Sequence, residues 1–345
     1  MLQIGSEPMI DPKDMAYCEE SIRHGSLSFH AASKALPKSV RNPALALYAF
    51  CRLADDEVDL KADKLPALKA LQARMDAAYA GNPLDTPVDR AFASMVKDTA
   101  MPKALPQALL EGLEWDAEGR RYETLSGVIA YSARVAAAVG VMMCVLMGVR
   151  DRNALARACD LGVAMQLTNI ARDIGEDALE NRLYIPQEWL REAGISEEDF
   201  LKHPKPTKAV RQMVRRLVVE SERLYLRSEA GITRLPVTCR PGIFAARFIY
   251  AGIAGVIRDQ SYQTITTRAR TTKAQKFGWL GLSMLRSFSG MMMPQSAVIY
   301  AKPLPEVQFL VDAATEGVAE KREWSDKFFD PIQQLRNADA QKHTA

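Results

Sequence analysis

Two pairs of aspartates share one spacing: Asp55 and Asp59 in RLADDEVDL, and Asp173 and Asp177 in NIARDIGED. Each pair stands in a segment whose apolar residues recur at the three-to-four-residue period of an α-helix. On a helix, positions i and i+4 share one face, roughly 6 Å apart. Carboxylates that close repel unless something positive sits between them. Hard divalent cations such as Mg²⁺ take oxygen ligands, typically one or two carboxylates together with substrate phosphate and water. Two such pairs on facing helices would clamp a diphosphate.

Helical periodicity runs through the rest of the chain, with no series of alternating strands and hairpin turns. It predicts helices near 11–24, 42–61, 64–79, 86–98, 103–116, 124–149, 151–175, 186–193, 206–232, 239–262 and 305–325. Breaks fall at Pro37, Gly81–Pro83, Pro102, the Gly175–Pro186 segment, Pro204–Pro206 and Pro236. No Gly/Ser linker divides the 345 residues, so one all-α domain over 1–345 is expected. The charged, mixed tail 303–345 reads as loosely attached. Hydrophobic residues make up 48%, enough for a sizeable core.

The net charge of +3 carries no nucleic-acid footprint, and no partner of that kind is expected. Five scattered cysteines without a CxxC pair point to reduced thiols and a cytoplasmic setting. MLQIGSEPMIDPKD lacks the features of a secretion signal or a transit peptide. The longest uncharged runs, Val135–Val149 and Ser287–Ala301, stop short of the ~20 residues of a bilayer span. The first reads as a buried central helix. The second, with Met291–Met293 and Pro294, reads as a loop or surface patch.

Steps of three and four place Arg41, Tyr48, Arg52, Asp55 and Asp59 on one helix face, between apolar shoulders. Gly162, Gln166, Asn169, Asp173 and Asp177 do the same further on, with Arg172 beside them. The plain alternative is the solvated face of a surface helix. Such faces are normally broad and rich in Lys and Glu. These stripes are narrow, set in Ala, Leu, Met and aromatics, and suit a cavity wall with a polar mouth. The run VAAAVGVMMCVLMGV supplies small residues and Met for a groove, or simply for tight helix packing. Arg41, Arg52, Arg172, Arg182, Arg268, Arg270 and Lys273 could offset diphosphate charge. No paired histidine metal site and no GxGxxG after a strand is present.

The segments SLSFHAASKALPKSVRNPALALYAFCRLADDEVD, LLEGLEWDAEGRRYETL, QLTNIARDIGEDALENRLYIPQEWL and, more loosely, RFIYAGIAGVI with TRARTTKAQK resemble the squalene/phytoene synthase family of head-to-head prenyl transferases. The likeness covers roughly residues 15–276 and is nearest to the bacterial phytoene-forming branch. It implies an all-α isoprenoid-synthase-type fold with a central cavity. It also implies that Asp55, Asp59, Asp173 and Asp177 face Mg²⁺ or Mn²⁺ bridging substrate diphosphates. By the same resemblance Tyr48 and Arg52 belong to the catalytic set. Ser26, Phe29, Arg41, Tyr131, Gln166 and Asn169 line the substrate sites, and Arg172, Arg182, Tyr184, Tyr250 and Arg268 lie near the diphosphates.

The implied reaction joins two geranylgeranyl diphosphates through prephytoene diphosphate to phytoene, the first committed step of carotenoid biosynthesis, without NADPH. Alternatives are a squalene or dehydrosqualene synthase using farnesyl diphosphate and, more remotely, a non-catalytic assembly-factor relative. Such relatives lose motif acids, and all four are present. An amphiphilic substrate and a nearly insoluble product imply peripheral contact with the cytoplasmic membrane face, with 284–301 a candidate surface, and contact with downstream carotenoid enzymes. One departure stands out. The family's Y-C-Y-x-V-A-G-x-V-G helix here reads Tyr131-Ser132-Ala133-Arg134-Val135-Ala136-Ala137-Ala138-Val139-Gly140, with Ala133 for an aromatic and Ala137 for a glycine.

Overall fold

The computed structural model describes residues 10–25, 33–34, 36–59, 64–292 and 295–316, with the side chains of 25, 55, 57–59 and 289–292 outside that description. Among the described residues every regular element is helical. The longer helices are α1 (Pro12–Gly25), α2 (Lys38–Asp59), α3 (Lys64–Tyr79), α4 (Pro87–Thr99) and α5 (Ala104–Ala117). They continue with α6 (Leu125–Leu146) and α7 (Arg152–Leu179), then the short α8 (Gln187–Glu192) and α9 (Glu197–Lys202). The last are α10 (Lys208–Ile232), α11 (Arg240–Asp259), α12 (Lys273–Met292) and α13 (Gln308–Thr315). By packing the chain divides into a compact unit, Met1–Ala314, and a short remainder, Thr315–Ala345.

Local chemistry sets the helix starts. Thr86, Thr124, Asp151, Ser196 and Thr207 sit in extended backbone and accept a hydrogen bond from an N–H of the first turn. α7 is the central element, packed by α6, α10 and α11. Cys159, Val163, Ala164, Leu167 and Ala171 on it are wholly buried. Where α6 crosses α7, a Cβ on Gly162 would lie 2.5 Å from the Ala137 Cα, so the two backbones touch. α6 itself carries a π-turn at Ala133–Ala137. One residue is accommodated in excess of the α-repeat, a feature frequent at functional sites.

A buried ion pair fastens the C-terminal segment to this core. Arg157 and Asp160 are both 0% exposed, with Arg157 Nε 2.7 Å from Asp160 Oδ2. Arg157 Nη1 donates to the carbonyls of Val298 and Ala301, and Arg227 Nη2 donates to that of Lys302. Burial pushes the Asp160 carboxyl upward while the two arginines pull it back. The guanidiniums thus satisfy backbone oxygens that would otherwise be stranded in the interior.

The structure differs from the sequence expectation at three places. α12 is helical to Met292 where a loop or patch is expected over 287–301. Its apolar residues occur on more than one side, which blurs the amphipathic period. α9 is too short for periodicity to register. The tail expected to be loose beyond Pro303 is packed as far as Ala314, because Val307, Leu310, Val311 and Ala314 fill the core. Residues 317–345 lie outside the described residues. By length and composition α6 and α11 are apolar enough to cross a membrane. Both are walls of an internal cavity.

Candidate active site

A cavity of about 590 Å³ lies between α2, α5, α6, α7, α10 and α11. Most of its wall is apolar: Leu113, Val135, Ala136, Val139, Gly140, Met143, Ala158 and Met165 among others. Along α7 it runs from Ala154 to Asn169, about 22 Å at 1.5 Å per residue. The polar groups Tyr48, Asp116, Tyr131, Gln166, Asn169 and Tyr250 face it. The Asn169 Oδ1 is buried without a hydrogen-bond partner, an acceptor left for something else to satisfy.

Beyond Asn169 the last turns of α7 carry Asp173, Glu176 and Asp177, with no basic residue in the last turn. A helix C-terminus bears partial negative charge, so acids there are unfavourable. α2 ends the same way, in Asp55, Asp56, Glu57 and Asp59, again without a base. Arg172 Nε donates to Asp173 Oδ1 at 2.8 Å, and Arg268 Nε lies 3.0 Å from the same oxygen. Arg268 Nη1 also reaches Glu176 Oε2 at 2.9 Å. Burial, reinforced by the charge of Asp173, pushes the Asp177 carboxyl up to about 7; Arg182 opposes this, and Glu180 and Asp116 add to it.

Residues 22–275 match the squalene/phytoene synthase family. The chain belongs to that family. The phytoene synthase of Cereibacter sphaeroides is 52% identical over 343 residues, 96% of each chain. That of Rhodobacter capsulatus is 55% identical over 309 residues, 89% of this chain and 91% of the other. Among solved structures, a dehydrosqualene synthase in complex with a ligand has a TM-score of 0.73 at 30% identity, covering 80% of this chain and 97% of that one. A squalene synthase from Alicyclobacillus acidocaldarius has a TM-score of 0.68 at 25% identity, with 73% and 95% covered. The squalene/phytoene synthase fold and the expected all-α class agree.

Several residues singled out in the sequence meet at one end of the cavity. Tyr48, Tyr131, Gln166, Asn169 and Tyr250 line it. Asp173, Asp177, Arg172, Arg182 and Arg268 gather at the end of α7, and Tyr250 is close enough to feel the charges of Arg172 and Asp173. Arg52 is held by Asp56, with Nη2 2.7 Å from Oδ1 on a half-exposed face. Arg41 has a buried Nε without a hydrogen-bond partner. Ser26, Phe29 and the side chains of Asp55 and Asp59 lie outside the described residues.

Asp116 is the participant the sequence reading passed over. It accepts hydrogen bonds from Tyr131 (2.7 Å) and Tyr184 (2.8 Å), whose rings stack with centroids 4.9 Å apart. Burial, helped by Asp116, holds both phenols well above their ordinary range, so they are donors and not bases near neutrality. The sequence offered little to single it out: Asp116 is one of three acids in the segment LLEGLEWDA. The family departure at Ala133 and Ala137 falls away from the wall: both are buried between helices, while Val135, Ala136, Val139 and Gly140 line the cavity.

Among the described residues no group of three or more His, Cys, Asp or Glu could hold a metal ion. The acids Asp55 and Asp59 of α2 are not among the described side chains. The donors that are described fit a hard cation: carboxylates at the negative end of a helix, one of them pushed toward protonation by burial beside a second acid. The sign of the pH effect follows. The unfolded Asp177 ionises near the ordinary aspartate value of 3.8, and the folded one at about 7. Between these values the fold holds the extra proton, so metal-free stability falls as pH rises through the window and levels off above it. The loss is on the order of 4 kcal/mol at most. Melting curves of metal-free protein across pH 4–8 should show it, and Asp177→Asn should flatten the profile.

Proposed function

We infer that the chain is a phytoene synthase, condensing two geranylgeranyl diphosphates head to head through prephytoene diphosphate to phytoene. The observation that carries this reading is one apolar cavity ending at an acid–arginine cluster on α7. The names of the relatives at 52% and 55% identity support it. Enzymes of this family are prenyl transferases that depend in general on a divalent metal. Asp55, Asp59, Asp173 and Asp177 would hold Mg²⁺ or Mn²⁺, which when bound neutralises the leaving diphosphate.

The chain's own residues do the rest. Arg172 and Arg268 carry forked donors suited to phosphate oxygens as the C–O bond ionises. The double bond of the second substrate attacks the allylic cation, and loss of a proton closes the cyclopropane of prephytoene diphosphate. A second ionisation, rearrangement and proton loss give phytoene, with two diphosphates released in all. The ring of Tyr131 on the cavity wall offers a π-face to positive charge, and its hydroxyl is fixed by Asp116. The apolar wall keeps water from the cations. No reductant is consumed, so NADPH is not required. So apolar a product favours release into lipid, which supports a peripheral position on the cytoplasmic membrane face, near enzymes that consume phytoene.

The test is incubation of purified protein with labelled geranylgeranyl or farnesyl diphosphate and Mg²⁺, without NADPH. A C40 product from the C20 substrate is expected. A C30 product alone, or dependence on NADPH, would assign the chain to the squalene or dehydrosqualene enzymes instead.

A further inference from the structure

α12 presents an apolar face that nothing among the described residues covers. Phe277, Leu280, Met284, Leu285 and Phe288 follow the i, i+3, i+7, i+8, i+11 pattern, which keeps them on one side of the helix. Phe277 is 74% exposed, Leu285 67% and Phe288 61%. The opposite side is bound to the body of the protein. Ser283 and Ser287 are buried, Trp279 lies where any Cβ on Gly252 of α11 would stand, and Arg286 pairs with Glu229 at 3.1 Å. The exposed side is therefore a surface held in place by its own packing.

Charge says what the face meets. Between Asp259 and Glu306 there is no acidic residue, while Arg268, Arg270, Lys273, Lys276, Arg286 and Lys302 are basic. Lys273 and Lys276 sit in the first turns of α12, where cations work against the helix dipole. Arg268 and Arg286 are already paired with acids, which leaves the lysines of the first turns of α12 as the charge beside the apolar face. A twofold contact between two copies would bring like charges together there. An amphipathic helix with large apolar side chains on one side and flanking cations matches an anionic bilayer, with the side chains in the acyl boundary and the cations at the headgroups.

We propose that α12 is the element by which this protein docks on an anionic lipid surface. This deepens the functional reading by naming the partner and the face. α11 stands between the two: Ile243, Ala246 and Tyr250 line the substrate cavity, while Gly252 receives Trp279 of α12. The docked surface thus lies one helix away from where the hydrocarbon is made.

The full-length protein is to be sedimented with vesicles of neutral phosphatidylcholine and with vesicles that also carry phosphatidylglycerol. The wild type should bind the anionic vesicles more tightly. Phe277→Ser/Leu285→Ser/Phe288→Ser should weaken binding to both by ~100-fold. Lys276→Gln should weaken binding to anionic vesicles by ~5-fold and leave the neutral ones unchanged. Turnover of detergent-dispersed substrate should persist in both variants, as a check on folding. Lipid binding unaffected by either variant overturns the proposal. So does a concentration-dependent dimer of the wild type that the serine variant abolishes, since the face then belongs to a second copy. Lipid binding and product identity are read separately, so a wrong substrate assignment would leave this result standing.

Discussion

Replacing Asp173 by alanine will reduce turnover by ~10³-fold or more, the scale of losing a preorganised electrostatic contact to a developing charge. Asp173 is the hub of its cluster. It holds Arg172 at 2.8 Å and Arg268 at 3.0 Å, and its charge raises Asp177 beside it. Alanine therefore removes a proposed cation ligand and releases two guanidiniums together. Far-ultraviolet circular dichroism should be unchanged, because Asp173 is half-buried near the end of a long helix whose core lies elsewhere. Single-turnover measurements should place the loss in the ionisation step. Near-normal turnover by this variant would remove the acid cluster from the chemistry.

The second large effect is expected at a residue with no functional group. Gly175 lies between the two aspartates, and a Cβ there would run into the carbonyl oxygen of Ile265. The segment carrying Thr264, buried at 3% exposure, passes directly against the α7 backbone and delivers Arg268 to Asp173 and Glu176. Gly175→Ala should push this segment off, cost about 1–3 kcal/mol of stability, and lower turnover by ~10²-fold through loss of Arg268. Arg268→Gln should reproduce the activity loss while keeping wild-type thermal stability. If Gly175→Ala lowers stability alone, the close approach is only packing.

The placing of Asp173 and Asp177 together near the end of α7 was legible because helical spacing is read directly from sequence: four residues apart means one face, and flanking apolar residues show what that face borders. The Asp116–Tyr131–Tyr184 cluster was not, because its members come from three separate segments and meet only through tertiary packing. The Arg52–Asp56 pair shows a limit of the stripe argument. A flexible side chain at the edge of a face can turn to an acid four residues on, in place of the cavity. The π-turn had no sequence signal, since ARVAA is ordinary α-helical material. α12 escaped notice because its residues serve two surfaces at once.

Where α6 meets α7, main chain rests on main chain: Gly162 against Ala137, with Ala136 and Gly140 turned to the cavity. This side of the chamber has almost nothing left to trim. Variants selected for longer products would have to gain room away from this contact, by shortening Leu47 or Leu113. Those selected for shorter ones could use either side, since enlargement at Ala136 fills space directly. Evolution of product length in such an enzyme is thus lopsided, with one rigid partition and one adjustable one.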